Sequence, residues 1–275
     1  MWETIKIEWQ AKGAMVLFLL LTLWWILDPI VLGRHHERII GDFASIYFIM
    51  ALWGGIWGIA VSRKWGGHKS VMGKAILMFS LGLLAQVFGE TVYAYYSFVL
   101  KVAIPYPSLG DLGYFGSIPL YIYGSILLAK ASGTNIKLKN LGHKLQAILI
   151  PLAMLTIAYF LFLQGYKFDW SDPVRVFLDF GYPLTQAIYI SIALLTYLLS
   201  KGLLGGIMKS KILFILFALF IQFLSDYNFL YQVSRGEWVT GGYGNMLYLS
   251  AYLLMTLGLL QFKTVLSKLR QKKQG

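Results

Sequence analysis

The chain has no cysteine in its 275 residues and little charge: 13% is Asp, Glu, Lys or Arg, against about 25% in a soluble domain. Lack of cysteine removes disulfides, thiolate metal sites and thiol nucleophiles. Scarcity of charge leaves a 58% hydrophobic chain without the polar surface that keeps a globule in water, and a soluble fold is excluded. Acids are the rarer sign, 12 against 24 Lys and Arg, for a formal net charge of +12. In a soluble protein that excess points to nucleic acid. Here the basic residues sit between long apolar runs, so no nucleic-acid partner is expected and the polyanion is the lipid bilayer.

Other absences narrow the chemistry. His35, His36, His68 and His143 all lie between the apolar runs, which leaves a haem inside the bilayer without axial histidines. No lysine lies mid-span, where a retinal Schiff base would need one. His35, His36 and Glu37 are too close in sequence to converge easily on one metal. Neither a Walker A loop nor a nucleophile elbow is present. No catalytic set, metal site or cofactor is expected, and an enzyme is the disfavoured class.

What is present is apolar length, with a mean hydropathy of +0.65. A helix needs about 20 apolar residues to cross about 30 Å of hydrocarbon. Eight segments qualify: residues 13–33, 41–62, 75–99, 112–130, 145–165, 176–200, 211–232 and 242–262. The first is too long for a signal-peptide core and lacks a small-residue cleavage site, so it reads as a retained helix. The N-terminus, the loops near 63–74, 130–144 and 201–211, and the tail from 263 hold 18 basic residues and only Glu3 and Glu8 among the acids. The alternate loops and adjoining helix halves hold six basic residues and ten acids, so the two sides carry +16 and −4. By the positive-inside rule the basic side is cytoplasmic. The expectation is a multi-pass cell-membrane protein with both termini in the cytoplasm.

The polar residues in the spans recur. A shift of 136 places Asp28 on Gln164, Gln86 on Gln222, Glu90 on Asp226 and Tyr95 on Tyr231; a shift of 137 places Arg38 on Arg175 and Asp42-Phe43 on Asp179-Phe180. After a two-residue gap, Asp111 meets Asn245 and Tyr114 meets Tyr248. Four helices per unit preserve topology, so the halves would be parallel repeats about an axis along the membrane normal. The expected fold is all-α, an eight-helix transmembrane bundle of two parallel four-helix repeats, 1–134 and 135–262, followed by a basic cytoplasmic tail, 263–275.

Glu90 lies some 15 residues into the third span, roughly 8 Å below the outer surface at about 1.5 Å per residue. Asp226 has the same depth in the seventh. Gln86 and Gln222, one turn earlier, share their faces. A carboxylate in hydrocarbon costs at least about 2.5 kcal/mol, so each must meet protein, water or a ligand. Either it locks the bundle, protonated or hydrogen-bonded to a neighbouring tyrosine, or it lines an outward-facing cavity. Asp42 and Asp179 fall in the first turns of helices, and Asp111 follows Pro105, Pro107, Ser108 and Gly110 at another helix start; N-capping is the first reading of all three. Asp28 precedes Pro29 and would cap the turn that proline breaks. Tyr47, Tyr93, Tyr95, Tyr114, Tyr182, Tyr231, Tyr243 and Tyr248 gather on the outer side. They read as an interfacial belt or as cavity walls. Carboxylates and ring faces together would suit a cation, with Asn245 and Tyr248 in the second half matching Asp111 and Tyr114 in the first. Gly54-x-x-x-Gly58 marks close helix packing.

The stretch Pro107-Ser108-Leu109-Gly110-Asp111-Leu112-Gly113-Tyr114, with Pro119-Leu120 beyond, resembles a multi-helix membrane module found upstream of bacterial GGDEF diguanylate cyclase domains and some histidine kinases. That module carries P-S-x-A-D-x-x-Y followed by Y-P-L. Asp179-Phe180-Gly181-Tyr182-Pro183-Leu184 is similar to its second motif, and Asp226 through Tyr231, Gly236, Asn245 and Tyr248 to its closing segment. Gly110 replaces alanine, Ile118 the tyrosine before proline, and Asn245 an aspartate. With only residues 263–275 after the last span, cyclase or kinase activity is not expected. The resemblance implies a sensory or ligand-binding membrane unit, with a small-molecule ligand from the outer side and a cytoplasmic or membrane signalling partner. Its alternative is a secondary transporter of a small cationic or proton-coupled solute.

Overall fold

The computed structural model describes residues 1–31, 43–102, 104–131, 141–200 and 206–274. Nine α-helices are present among them: α1 Trp2–Ile7, α2 Trp9–Val31, α3 Ile49–Lys64, α4 Val71–Ala94, α5 Gly110–Ala131, α6 Leu141–Ala158, α7 Pro173–Ser200, α8 Gly206–Arg235 and α9 Tyr243–Gln274. No strand occurs among the described residues. Seven helices, α2 and α4 to α9, are long and apolar enough to cross a membrane, and the chain is a multi-pass helical membrane protein.

The segment expected at 41–62 differs from the other seven. Its regular part, α3, has 16 residues, about 24 Å of helix and short of the hydrocarbon thickness. Residues 43–44 are helical and turns occupy 45–48, with Tyr47 N–H bonded to the Phe43 carbonyl at 3.1 Å. Neither glycine nor proline marks this break. Its buried residues, Phe43, Ala44 and Tyr47, face the bundle, so tertiary contacts hold the irregular backbone in place.

Local chemistry sets several ends. Ser70 accepts the Gly73 N–H at 2.9 Å as the N-cap of α4, just after Gly66, whose φ of 93° lets the chain leave α3. Widened π-helical turns, Tyr95–Leu100 and Tyr159–Leu163, finish α4 and α6.

The helices pack mostly against their chain neighbours. α4 lies between α3 and α5, α6 packs on α7, and α8 on both α7 and α9. Two longer-range pairings close the bundle, α3 with α9 and α5 with α7. α9 is the central post: 78% of its apolar window is buried, against 6% for the peripheral α6. Gly54 and Gly58 allow the approach of α3 to its neighbours. A Cβ at Gly54 would lie 2.9 Å from Leu83 Cδ1, and one at Gly58 would lie 2.9 Å from Leu259 Cδ1.

α9 runs on to Gln274, through the segment read above as a tail, and its last turns clasp the N-terminus. Lys263 Nζ lies 2.5 Å from Glu8 Oε2 and donates to Gln10 Oε1 at 3.0 Å. Lys268 pairs with Glu3 at 2.6 Å. The short helix α1, which hydropathy did not single out, forms part of this clasp. At the other end of the bundle, Trp25 Nε1 donates to the Gly241 carbonyl at 2.7 Å, tying α2 to the start of α9.

Candidate functional site

α4 brings Glu90 into the interior, 6% exposed, where three tyrosine hydroxyls reach its carboxylate. Tyr47 comes from the irregular turns before α3, Tyr114 from α5 and Tyr252 from α9. One turn away, Gln86 Nε2 donates to Ser117 Oγ at 2.8 Å, and Ser117 donates to the Tyr114 carbonyl at 2.7 Å. The Tyr252 hydroxyl also lies 3.3 Å from Gln86 Oε1. A phenol has one proton to give, so Tyr252 can donate to Glu90 or to Gln86 at any moment.

Asp226, 8% exposed on α8, has a similar but thinner shell. Gln222 Nε2 donates to its Oδ1 at 3.0 Å, and the Tyr248 hydroxyl of α9 also bonds to it. A hydrogen bond to a charged group contributes about 1.5–3 kcal/mol, the same order as the cost of burying the carboxylate. Several buried polar atoms of the interior have no partner among the described residues. The Tyr121 hydroxyl, close enough to feel the Asp226 charge, is buried and unbonded, as are Ser125 Oγ one turn on and Gln186 Oε1 on α7. Tyr121 packs against Tyr189 of α7 with ring centroids 6.3 Å apart.

α9 joins the two shells. Tyr248 and Tyr252 are one turn apart on it, with ring centroids at 6.1 Å, and Tyr252 stacks on Tyr47 at 5.9 Å.

Asp111 and Asp179 form a third group, nearer the end of the bundle. Ser108 accepts the Gly110 N–H at 3.1 Å while its own N–H donates to Asp111 Oδ2 at 2.7 Å, a capping box at the start of α5. The other Asp111 oxygen accepts from Tyr182 at 2.7 Å. Asp179 in turn accepts from Tyr106 at 2.8 Å and Tyr166 at 2.6 Å, with Arg175 Nε at 3.9 Å. The segments around 106–111 and 179–182 therefore exchange tyrosine–aspartate bonds in both directions. Donation to Asp179 pushes the Tyr166 hydroxyl up to about 12. Burial, followed by the bond to Asp179, raises Tyr106 above the ordinary tyrosine range. In the loop between α6 and α7, the Ser171 hydroxyl and N–H hold Asp169 below the usual carboxylate range.

The chain matches no protein-family model, and no curated protein or solved structure is significantly similar to it. Its chemistry is read from the side chains alone.

Of the residues singled out from sequence, Glu90, Gln86 and Tyr114 converge in one shell, and Asp226, Gln222 and Tyr248 in the other. Asp111 and Asp179 meet through tyrosines. Asn245 accepts the Gly241 N–H at 2.7 Å, reaching back over the start of α9 much as Asp111 does over α5. Asp42 lies outside the described residues, as does the Asp28 side chain. The outer tyrosines divide: Tyr47 and Tyr248 are buried, whereas Tyr95 and Tyr243 are more than half exposed. Tyr252, Tyr121, Ser117 and Gln186 were not anticipated. Tyr252 could have been found from its i+4 spacing after Tyr248, which puts both on one helix face. Among the described residues no three His, Asp or Glu side chains come together as a metal site.

Proposed function

We propose that the protein is an integral-membrane sensor or small-ligand-binding module that takes up a small cation at Asp226. The observation that carries this is the unequal satisfaction of the two acids. Glu90 is met by three hydroxyls; Asp226 has two donors, while the Tyr121 hydroxyl, which feels its charge, remains unpartnered. Buried polar atoms in native proteins are nearly always bonded, so such atoms suit a water or a ligand. A carboxylate with free lone pairs and neighbouring tyrosine rings favours a protonated or quaternary amine. A cation that draws Asp226 from Tyr248 would act on α9, which also carries Tyr252 and runs to the basic end of the bundle. There it could meet a cytoplasmic or membrane signalling partner. The resemblance of the 107–114 and 179–184 motifs to a sensory membrane module supports the same reading.

The proposal includes eight crossings in two parallel repeats. The ion pairs of Glu3 and Glu8 with α9 support an even number of crossings, with α3 and the turns before it supplying the eighth. Three matches support the duplication. Glu90–Tyr114 parallels Asp226–Tyr248, Asp111 and Asn245 reach back over corresponding helix starts, and α3–α9 contacts mirror α7–α5. Basic residues at the clasped end support cytoplasmic termini. An impermeant maleimide should label Ser171→Cys on intact cells and Ser267→Cys only after permeabilisation; the reverse pattern overturns this orientation.

Binding of tetramethylammonium, choline and putrescine to purified protein in nanodiscs, measured by calorimetry, tests the site. The expected result is that one of them binds and that Asp226→Asn abolishes it. No binding, or equal binding by the Glu90→Gln/Asp226→Asn double variant, refutes the reading. A secondary transporter is the second reading, favoured by the helix interruption at 45–48, whose Tyr47 meets Glu90, since transporters bind ions at broken helices. It requires flux of the same amine, or of protons, in proteoliposomes.

A further inference from the structure

At the basic end of the bundle, a small cleft of about 90 Å³ opens between α2, α3 and α9. Its walls are apolar, formed by Ala60, Val61 and Leu260, and its mouth carries Trp57, Lys64 and Lys263. Trp9 adds to the rim: it is 56% exposed, and its ring centroid lies 5.0 Å from that of Trp57. The cations are not equivalent. Lys263 is already engaged by Glu8 and Gln10, whereas Lys64 is exposed, with no hydrogen-bond or ion-pair partner among the described residues. The indole N–H groups of Trp53 and Trp65 are spent on backbone carbonyls, while that of Trp57 bonds to none of the described residues. The cleft thus holds two open donors, Lys64 Nζ and Trp57 Nε1. With Glu8 set against Lys263, its net charge is that of Lys64 alone.

We infer that this cleft is a binding site for the headgroup of an anionic phospholipid, distinct from the carboxylate interior. The single uncompensated cation matches the single negative charge of a phosphodiester. The open indole N–H offers a second bond to the phosphate or an ester carbonyl, and the apolar wall below receives the start of an acyl chain. The position fits: tryptophans such as Trp2 and Trp9 gather at this end, as they do at the headgroup level of membrane proteins, and basic clefts between transmembrane helices are suited to lipid phosphates. The lysine and the indole fix where the phosphate sits, so the site goes beyond the general attraction of a basic face for the membrane.

The test is native mass spectrometry of the full chain released from nanodiscs of equimolar phosphatidylglycerol and phosphatidylcholine. Phosphatidylglycerol should be retained selectively. Lys64→Gln should lower its occupancy about fivefold, the effect of one lysine charge at a membrane surface. Ala60→Leu, which narrows the cleft and changes no charge, should lower it as well. Lys69→Gln removes the same charge from an exposed site at the same end and outside the cleft, and should leave retention unchanged. Equal losses from Lys64→Gln and Lys69→Gln would show only a diffuse surface field and overturn the proposal, as would equal retention of both lipids. Inorganic phosphate retained in place of lipid would also overturn it.

Discussion

Tyr248 and Tyr252 are neighbours on α9, their ring centroids 6.1 Å apart, yet their hydroxyls serve different acids: Tyr248 bonds to Asp226 and Tyr252 to Glu90. One face of one helix therefore bears on both buried carboxylates. A rotation or slide of α9 that improved one bond would disturb the other, because the two tyrosines move together.

Replacing Tyr252 by phenylalanine keeps the ring and its stacking on Tyr47 but removes the hydroxyl that Glu90 and Gln86 share. Leaving a buried acceptor unsatisfied costs about 1–3 kcal/mol. Tyr252→Phe should lower the thermal unfolding midpoint in detergent, while Tyr95→Phe, at a half-exposed ring, should not. Adding Glu90→Gln to Tyr252→Phe should cost less than the two separate losses, because the residues belong to one network. Identical midpoints for Tyr252→Phe and the native chain would show that this hydroxyl contributes nothing.

Much of this arrangement is legible in the sequence, and what is hidden has a physical cause. Long apolar runs fix seven helices, and the shift between halves matches Glu90 with Asp226 and Tyr114 with Tyr248, without saying which tyrosine meets which acid. Tyr252 escapes because the shift that matches Tyr114 with Tyr248 sets it opposite Ile118, so the comparison of halves passes over it. The break before Ile49 escapes because Phe43 to Phe48 contains no residue that ends a helix by its own chemistry. The unpartnered Tyr121 hydroxyl depends on how α5 packs against its neighbours, which periodicity within one helix cannot convey.

Alkaline titration addresses the bond between Tyr166 and Asp179. Because Tyr166 is pushed up to about 12 from 10, its neutral form is favoured in the folded protein. The stability this gives is complete below pH 10 and disappears as pH rises through 12. Ultraviolet titration of the native chain minus Tyr166→Phe isolates this one hydroxyl, and it should ionise near pH 12. In Asp179→Asn it should return toward 10. An unchanged titration in Asp179→Asn would exclude the carboxylate as the cause.

Two glycines separate packing from helix propensity. At Gly54 a Cβ would press on Leu83, 2.9 Å away, and on Thr256. Gly54→Val should therefore destabilise the bundle by about 1–3 kcal/mol, as overpacking does. A Cβ at Gly116 meets nothing within 4 Å, so Gly116→Ala should be neutral or stabilising by up to about 1 kcal/mol. A Gly54→Val variant with native thermal stability would mean that α3 does not need its close approach to α4 and α9.

The helix that fills the centre comes after α1 to α8 along the chain. During synthesis, α2 to α8 are made while the space α9 will occupy is still unfilled. Glu90 waits for Tyr252, Asp226 for Tyr248, and Glu3 and Glu8 for their lysines. Assembly of the bundle is thus held back until α9 emerges, and a ribosome stalled before residue 243 would leave an open bundle with two acids awaiting their α9 tyrosines.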